Sequence, residues 1–457
     1  MEKLVHGGDI YSARERISGE IIDFSANINP LGLPQTVKQA LMESMDSFSC
    51  YPDPLCRDLV QEIAKHEQIP TESILCGNGA ADLIFRISWA MKPRRALIAV
   101  PTFAEYEQAL SAVGCQIDYF ELSAEHDFCL QEDFLEQIHP KTDLVFLCNP
   151  NNPTGQLIDP KLLERILVRC TACGALLIVD ECFRDFLDDP MGNSMKDWIS
   201  SFPNLLILRA FTKHFAMAGL RLGYCLCSHP VLMERMRECG QPWSVSIPAQ
   251  VAGIAALQDR EYLEKSRALI SQERTYLRDS LTELGIPVIG SHANYLFFRI
   301  PDSSELPAQL EKDGILIRSC DNYRGLDKGY YRIAVKNHEQ NQKLIDALTR
   351  FLHPSIEPVT TETVTVPLSG ESEEEPTPDG NSQPVSPAEG SVSDGTEASS
   401  ATEPDEQEIS ESAILSEEEQ IKIPSHDVNT LPSAEQKRQY RSLRNKSKKY
   451  DWEEEDE

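Results

Sequence analysis

The sequence predicts an α/β fold: a mostly parallel sheet between helices, a smaller α+β domain, and an acidic tail. Three observations predict it. Short runs that are apolar throughout alternate with longer helical patterns through the middle of the chain, the pattern changes after Pro248, and composition shifts abruptly near His353-Pro354. Strands apolar on both faces are buried on both, as in a parallel sheet covered by helices.

In chain order, "MEKLVHGGDIYSARERISGE" lacks the apolar core of a secretory signal, so a cytoplasmic protein is expected. Residues 1–45 are assigned to a segment that joins the smaller domain, and residues 46–257 to the large domain. Within the latter, "CGNGAADLI" (76–84) is a glycine-rich turn entering a helix, where the N–H groups of Ala80 and Ala81 could cradle a phosphate. Alone that signal is weak, because Gly-Asn-Gly also makes ordinary turns. "RALIAV" (95–100), "DLVFLCNP" (143–150), "ALLIVDE" (175–181), "NLLILRA" (204–210) and "GYCLCS" (223–228) read as buried strands. The helical "DPKLLERILVRCTACG" (159–174) carries a CxxC at Cys170 and Cys173. With no second pair at zinc-ribbon spacing, core packing explains it better than a metal site.

Ligands of open parallel sheets gather at the carboxyl ends of the strands, and polar motifs cluster there. "CNPNNPTG" (148–155) is rigid and rich in donors. Asp180 ends a very apolar strand, where a buried carboxylate calls for a cationic partner. In "RAFTKHFAMAGLRLGY" (209–224), Lys213 and Arg221 lie eight residues apart in company fit for burial, which is costly unless each is paired or one is neutral. After Pro248 the pattern changes to a long helix, "AQVAGIAALQDREYLEKSRALISQERTYLRDSLTELG", which runs into the small domain, 258–354. It includes "NYLFFRI", "GILIRSC", "YYRIAVK" and a last helix.

The chain carries a formal charge of −30 over 457 residues. From 355 to 457 there are 26 acidic and 8 basic residues and no aromatic before Tyr440, so this segment is expected to be disordered. Its basic run abuts an acidic end, which suits a solvating tail; the alternative is a segment docking on a protein partner through Tyr440, Leu443, Tyr450 and Trp452. The acidic remainder argues against nucleic-acid binding, and no apolar stretch reaches 18 residues, so no membrane span is expected. All thirteen cysteines precede the tail, many in apolar runs, and read as reduced core residues.

Taken together, the glycine turn, Pro101-Thr102-Phe103, Asn-Pro-Thr-Gly, Asp-Glu, and lysine with arginine eight later are far more specific than any one alone. In this order the chain resembles the fold-type I pyridoxal 5'-phosphate enzymes of the class I/II aminotransferase superfamily, over roughly residues 1–352. The resemblance implies that Lys213 carries the cofactor, which requires a neutral amine. It further implies Arg221, Thr212, Ala80 and Ala81 at the cofactor phosphate, Asp180 at the pyridine nitrogen, Asn152 at the ring hydroxyl and Phe103 stacked on the ring. Tyr51 would reach the partner subunit's phosphate in a homodimer with shared active sites. Ala210 stands where many relatives carry Ser or Thr, which removes one hydroxyl.

Two branches compete, histidinol-phosphate aminotransferase and threonine-phosphate decarboxylase of cobalamin synthesis. "HGGDIYSA" with "IIDFSANINPLG", "DECFRDF", "QPWSVS" and "ILIRSCDNYRGLDKGYYRIAVK" resemble the decarboxylase more closely, despite Ser246 where Asn is frequent. That branch implies a small phosphorylated amino acid as substrate. Arg332 would take its carboxylate, His6, Asn27 and Arg318 its phosphate, with Asn152 beside them; no metal is implied. Without the resemblance, His6 and Asn27 would read as loop organisers and the arginines as surface ion pairs. A non-catalytic, cofactor-binding regulator is the third reading, and it lacks a DNA-binding helix-turn-helix.

Overall fold

The computed structural model describes residues 6–190 and 192–354. The acidic tail, with its expected disorder or docking anchors, lies outside the described residues. The strands run β1 (Ile22–Asp23), β2 (Ile74–Gly77), β3 (Arg95–Val100), β4 (Gln116–Glu121), β5 (Leu144–Cys148), β6 (Leu176–Asp180), β7 (Leu205–Ala210), β8 (Gly223–Leu226), β9 (Val288–Ile289), β10 (Tyr295–Arg299), β11 (Ile315–Leu316), β12 (Arg318–Ser319) and β13 (Tyr330–Ala334).

β2 through β8 form one sheet of order β2-β8-β7-β6-β5-β3-β4. Every pairing is parallel except the two made by β8. Leu177, Val179 and Ile207 enter one hydrophobic cluster, while Leu176, Ile178, Leu206 and Leu208 enter another. Both faces are therefore buried, the arrangement that all-apolar strands require. The two strands missing from the sequence reading, β2 and β4, are the two edges of this sheet. An edge need not be apolar on both faces, and "QIDYFE" in β4 is half-exposed along its length.

The chain leaves β3 toward β4 on one side, whereas β5 leads to β6 and β7 on the other. The connections thus diverge at the carboxyl ends of β3 and β5 and open a crevice. Because β8 runs backwards, its first residue lies at that same edge, which brings the segment before it to the crevice.

The helix Pro160–Cys173 forms as its sequence dictates. Asp159 Oδ1 accepts from the N–H groups of Lys161 and Leu162 at 2.9 and 3.0 Å, and Gly174 ends the helix at φ +67°. Cys170 and Cys173 are both buried on its inner face.

In the second sheet, of order β12-β13-β10-β9, all pairings are antiparallel. Its core gathers Phe24, Tyr295, Leu296, Phe298 and Ile333. β1 pairs in parallel with β11, Ile22 opposite Ile315. Two expectations need correction. The long helix is two, Ile247–Gln258 and Arg260–Glu283, because Asp259 leaves helical geometry and caps the second through the Tyr262 N–H at 3.0 Å. "GILIRSC" is likewise two short strands, β11 and β12, which pair with different partners.

Candidate active site

Lys213 lies in a short helix, Phe211–His214, directly after β7. Its side chain faces a cavity of about 250 Å³ at the carboxyl edge of the large sheet. Burial, then the neighbouring Arg332 and Arg221, push its ammonium down to about 8, against opposing pulls from Cys182 and Glu105. A lysine so placed is readily neutral. Arg221, expected in buried company, is exposed at the cavity wall. Its backbone is left-handed at φ +58°, its Nη1 donates to Ala218 O at 3.3 Å, and no carboxylate pairs with it among the described residues.

The cradle for an anion forms around that arginine. The helix Ala80–Met91 begins at Gly79, φ +82°, with no side-chain cap, so its first N–H groups are open to a ligand. A Cβ at Gly79 would lie 2.6 Å from Arg221 Nη2, and one at Gly223 2.5 Å from the nitrogen of Ala80. Only glycine leaves this approach clear. Thr212 lines the same wall, whereas Ala210 offers no hydroxyl.

Asp180 ends β6, 5% exposed. The expected side-chain cation is not there. Tyr106 Oη donates to Oδ2 at 2.7 Å and the Cys182 N–H to Oδ1 at 3.0 Å, both neutral donors. The Tyr106 hydroxyl is pushed well up by burial and by Asp180, so it stays a donor. A buried carboxylate left with its charge unbalanced fits a protonated ring nitrogen. With the low lysine and the open cradle, this donor set fits pyridoxal phosphate.

Opposite Lys213 the wall is cationic. Arg318 on β12 and Arg332 on β13 are direct cross-strand partners, 8% and 6% exposed. They are buried, where bare residue type would suggest surface positions. Like charges across a strand pair repel, so the arrangement calls for anions between or beside them. Arg332 donates to Asn152 Oδ1 and, at 2.7 Å, to Ser25 O, while its Nε has no partner among the described residues. Arg318 donates to Asn322 Oδ1 at 2.8 Å and lies 5.3 Å from the Tyr323 ring centre. Asn27 turns a buried, unpartnered Oδ1 to the same space.

One cavity thus collects Lys213, Asp180, Ala80, Ala81, Phe103, Asn152, Thr212, Arg221, His6, Asn27, Arg318 and Arg332. Tyr51 is the exception among the candidates. It is 80% exposed and stacks on Trp243 at 4.6 Å, away from its own chain's cavity. Ser246 caps the helix Ile247–Gln258 through the Ala249 N–H at 3.3 Å, so the departure from Asn leaves a competent cap. Sequence reasoning missed Tyr106, Ser25, Tyr323, Cys182 and Glu105. The one local signal was "FAEY", which puts Glu105 and Tyr106 in the first turn after Phe103.

The family model for aminotransferase class I and II matches residues 19–348. The threonine-phosphate decarboxylase of Salmonella typhimurium is 41% identical over 354 residues, covering 76% of this chain and 96% of the relative. A histidinol-phosphate aminotransferase structure from Clostridium acetobutylicum superposes with a TM-score of 0.68 at 31% identity, over 72% of this chain and 99% of the other. The L-threonine-O-3-phosphate decarboxylase structure from Porphyromonas gingivalis gives 0.64 at 27% identity, over 72% and 98%.

Proposed function

The chain belongs to the class I and II aminotransferase family, and we propose that within it the chain is a pyridoxal 5'-phosphate-dependent decarboxylase. It converts L-threonine O-3-phosphate to (R)-1-amino-2-propanol O-2-phosphate and carbon dioxide in cobalamin biosynthesis. The observation that carries this reading is the pair of buried, directly opposed arginines facing Lys213, suited to a substrate with two anionic groups. Its likeness to the Salmonella decarboxylase, across nearly all of that enzyme, supplies the reaction.

When bound, the cofactor provides an electron sink for the pair released as a bond at the substrate's α-carbon breaks. Lys213 would hold the cofactor aldehyde, and its readily deprotonated amine would be placed to move a proton at the substrate's α-carbon. Asp180, steadied by Tyr106 and the Cys182 N–H, would keep the ring nitrogen protonated. Arg221, Thr212 and the N–H groups of Ala80 and Ala81 hold the cofactor phosphate. Arg332 binds the substrate carboxylate, with its guanidinium set by Asn152 and Ser25. His6, Asn27 and Arg318 take the substrate phosphate. Phe103, which lines the cavity, would stack on the cofactor ring. Phe183, whose ring centre is 5.9 Å from Lys213 Nζ, gives the ring hydroxyl no hydrogen bond, so Asn152 is its donor.

The structural likeness to the Clostridium enzyme favours a second reading, histidinol-phosphate aminotransferase. One experiment separates the two. L-threonine O-3-phosphate should release carbon dioxide with no keto acid added, and histidinol phosphate with 2-oxoglutarate should yield little glutamate. Faster glutamate formation in the second mixture would assign the chain to the aminotransferases.

The assembly is a homodimer. Met42, Met45, Tyr51 and Leu55 are more than half exposed, with Phe48 and Trp243 beside them in exposure, more apolar surface than a monomer usually leaves bare in one region of sequence. In the dimer Tyr51 reaches the partner subunit's cofactor phosphate. Residues 46–257 form the large domain, and residues 258–354 with 1–45 the small one. No helix among the described residues is long and apolar enough to cross a membrane, and the enzyme works in the cytoplasm.

A further inference from the structure

A second cavity, of about 180 Å³, lies behind the short helix that carries Lys213. Thr212 and Lys213 line the cofactor cavity, whereas Phe211 and His214 line this one, so the helix is the wall between them. The reaction described above uses none of the charged groups found here.

Arg184, Asp185, Arg209, Arg267 and His66 line it. Arg184 Nε and Nη2 donate to Asp185 Oδ1 at 3.2 and 2.7 Å, and Arg209 Nη2 meets Glu181 Oε2 at 2.8 Å. Behind them Glu67 accepts from Tyr224 Oη at 2.5 Å and lies 3.7 Å from Lys196 Nζ. Each of these carboxylates thus has its own cation, and Arg267 is left without one to pair with among the described residues. The lining carries more positive charge than negative.

Its hydrogen-bond donors are unmatched as well. Arg184 Nη1, Arg209 Nε and Nη1, and both ring nitrogens of His214 have no partner among the described residues. These three residues are only 5%, 2% and 2% exposed. A buried N–H left unpaired costs about 1–3 kcal/mol, and more when it is charged. Packing does not call for the imidazole. His214 stacks on Phe186 at 5.0 Å and meets Phe215 at 5.2 Å, contacts that a phenylalanine would also make. Burial pushes the histidine down to about 4, with Asp185 opposing, so the neutral ring offers one N–H and one lone pair.

The open donors come from three elements: Arg209 from β7, Arg184 from the turn after β6, and His214 from the Lys213 helix. Together they need acceptors in several directions, which an oxyanion supplies through separate oxygens. The volume is more than a single halide ion fills, and one unbalanced arginine calls for a single negative charge. We infer that this cavity is a binding site for a small monovalent oxyanion, of the class of formate or bicarbonate. Bound there, the anion bridges the three elements and steadies the Lys213 helix from the side opposite the cofactor.

Arg332→Leu holoenzyme lacks the carboxylate arginine of the cofactor cavity and so isolates the second site. It should take up carbon-13-labelled formate or bicarbonate, read from NMR line widths, and the tighter of the two names the class that the site serves. Adding Arg267→Gln should weaken that binding about tenfold, through loss of the unbalanced charge, and adding His214→Phe about fivefold. Binding left unchanged by both second substitutions would place the anion elsewhere and overturn the inference. Uptake of neither anion would leave water to satisfy these nitrogens and overturn it too. Neither result bears on the decarboxylase reading, which the substrate assay decides.

Discussion

At the scale of single residues, the proposed chemistry depends on a lysine kept ready to lose its proton. Because burial and then Arg332 and Arg221 hold Lys213 down at about 8, cofactor uptake by apoenzyme should quicken as pH rises and level off above that value. In Arg332→Leu the midpoint should climb toward the ordinary 10.5, since one of the cations disfavouring the ammonium is gone. Stopped-flow absorbance across pH measures both, and an unmoved midpoint would remove Arg332 from the account. Lys213→Ala should bind no cofactor covalently, and borohydride reduction of wild type should mark Lys213 alone. These residues were legible in the sequence because chemistry confines them to fixed spacings at strand ends. Tyr106 was not. It reaches Asp180 across 74 positions, and on its own helix it reads as one more buried aromatic stacked on Phe146.

At the scale of elements, apolar runs located the interior strands β3, β5, β6, β7 and β8, since each is buried on both faces. Nothing in "GYCLCS" tells that β8 runs against its neighbours, because direction is set by the connection and not by side-chain pattern. The helix break at Asp259 was similarly hidden inside an unbroken helical periodicity. Asp259 caps with Oδ1 and accepts from Thr36 Oγ1 at 2.8 Å with Oδ2, tying the second helix to an earlier one. Asp259→Ala should therefore cost about 1 kcal/mol of unfolding free energy, read from denaturant midpoints, with turnover little changed. No measurable loss would mean that water replaces the cap.

At the scale of the whole molecule, the last described helix, His338–Leu352, buries Leu344, Ala347 and Leu348 and ends within two residues of Pro354. Nothing between Ser355 and Gln439 offers an aromatic anchor, so a chain ending at Pro354 should dimerise, bind cofactor and decarboxylate within about twofold of the full chain. Much lower turnover, restored by adding residues 355–457 in trans, would place the tail in the active machinery. The reversal of β8 has a consequence of its own. Ala210 and Gly223 close the ladder, so residues 211–222 form one excursion that carries both Lys213 and Arg221. The covalent hold and the ionic hold proposed for the cofactor would therefore belong to a single cooperative unit, and binding energy gained at either would be shared by the backbone of both. Hydrogen–deuterium exchange should show it: on cofactor removal, the amides of this excursion should lose protection together, while those of β5 and β6 keep theirs.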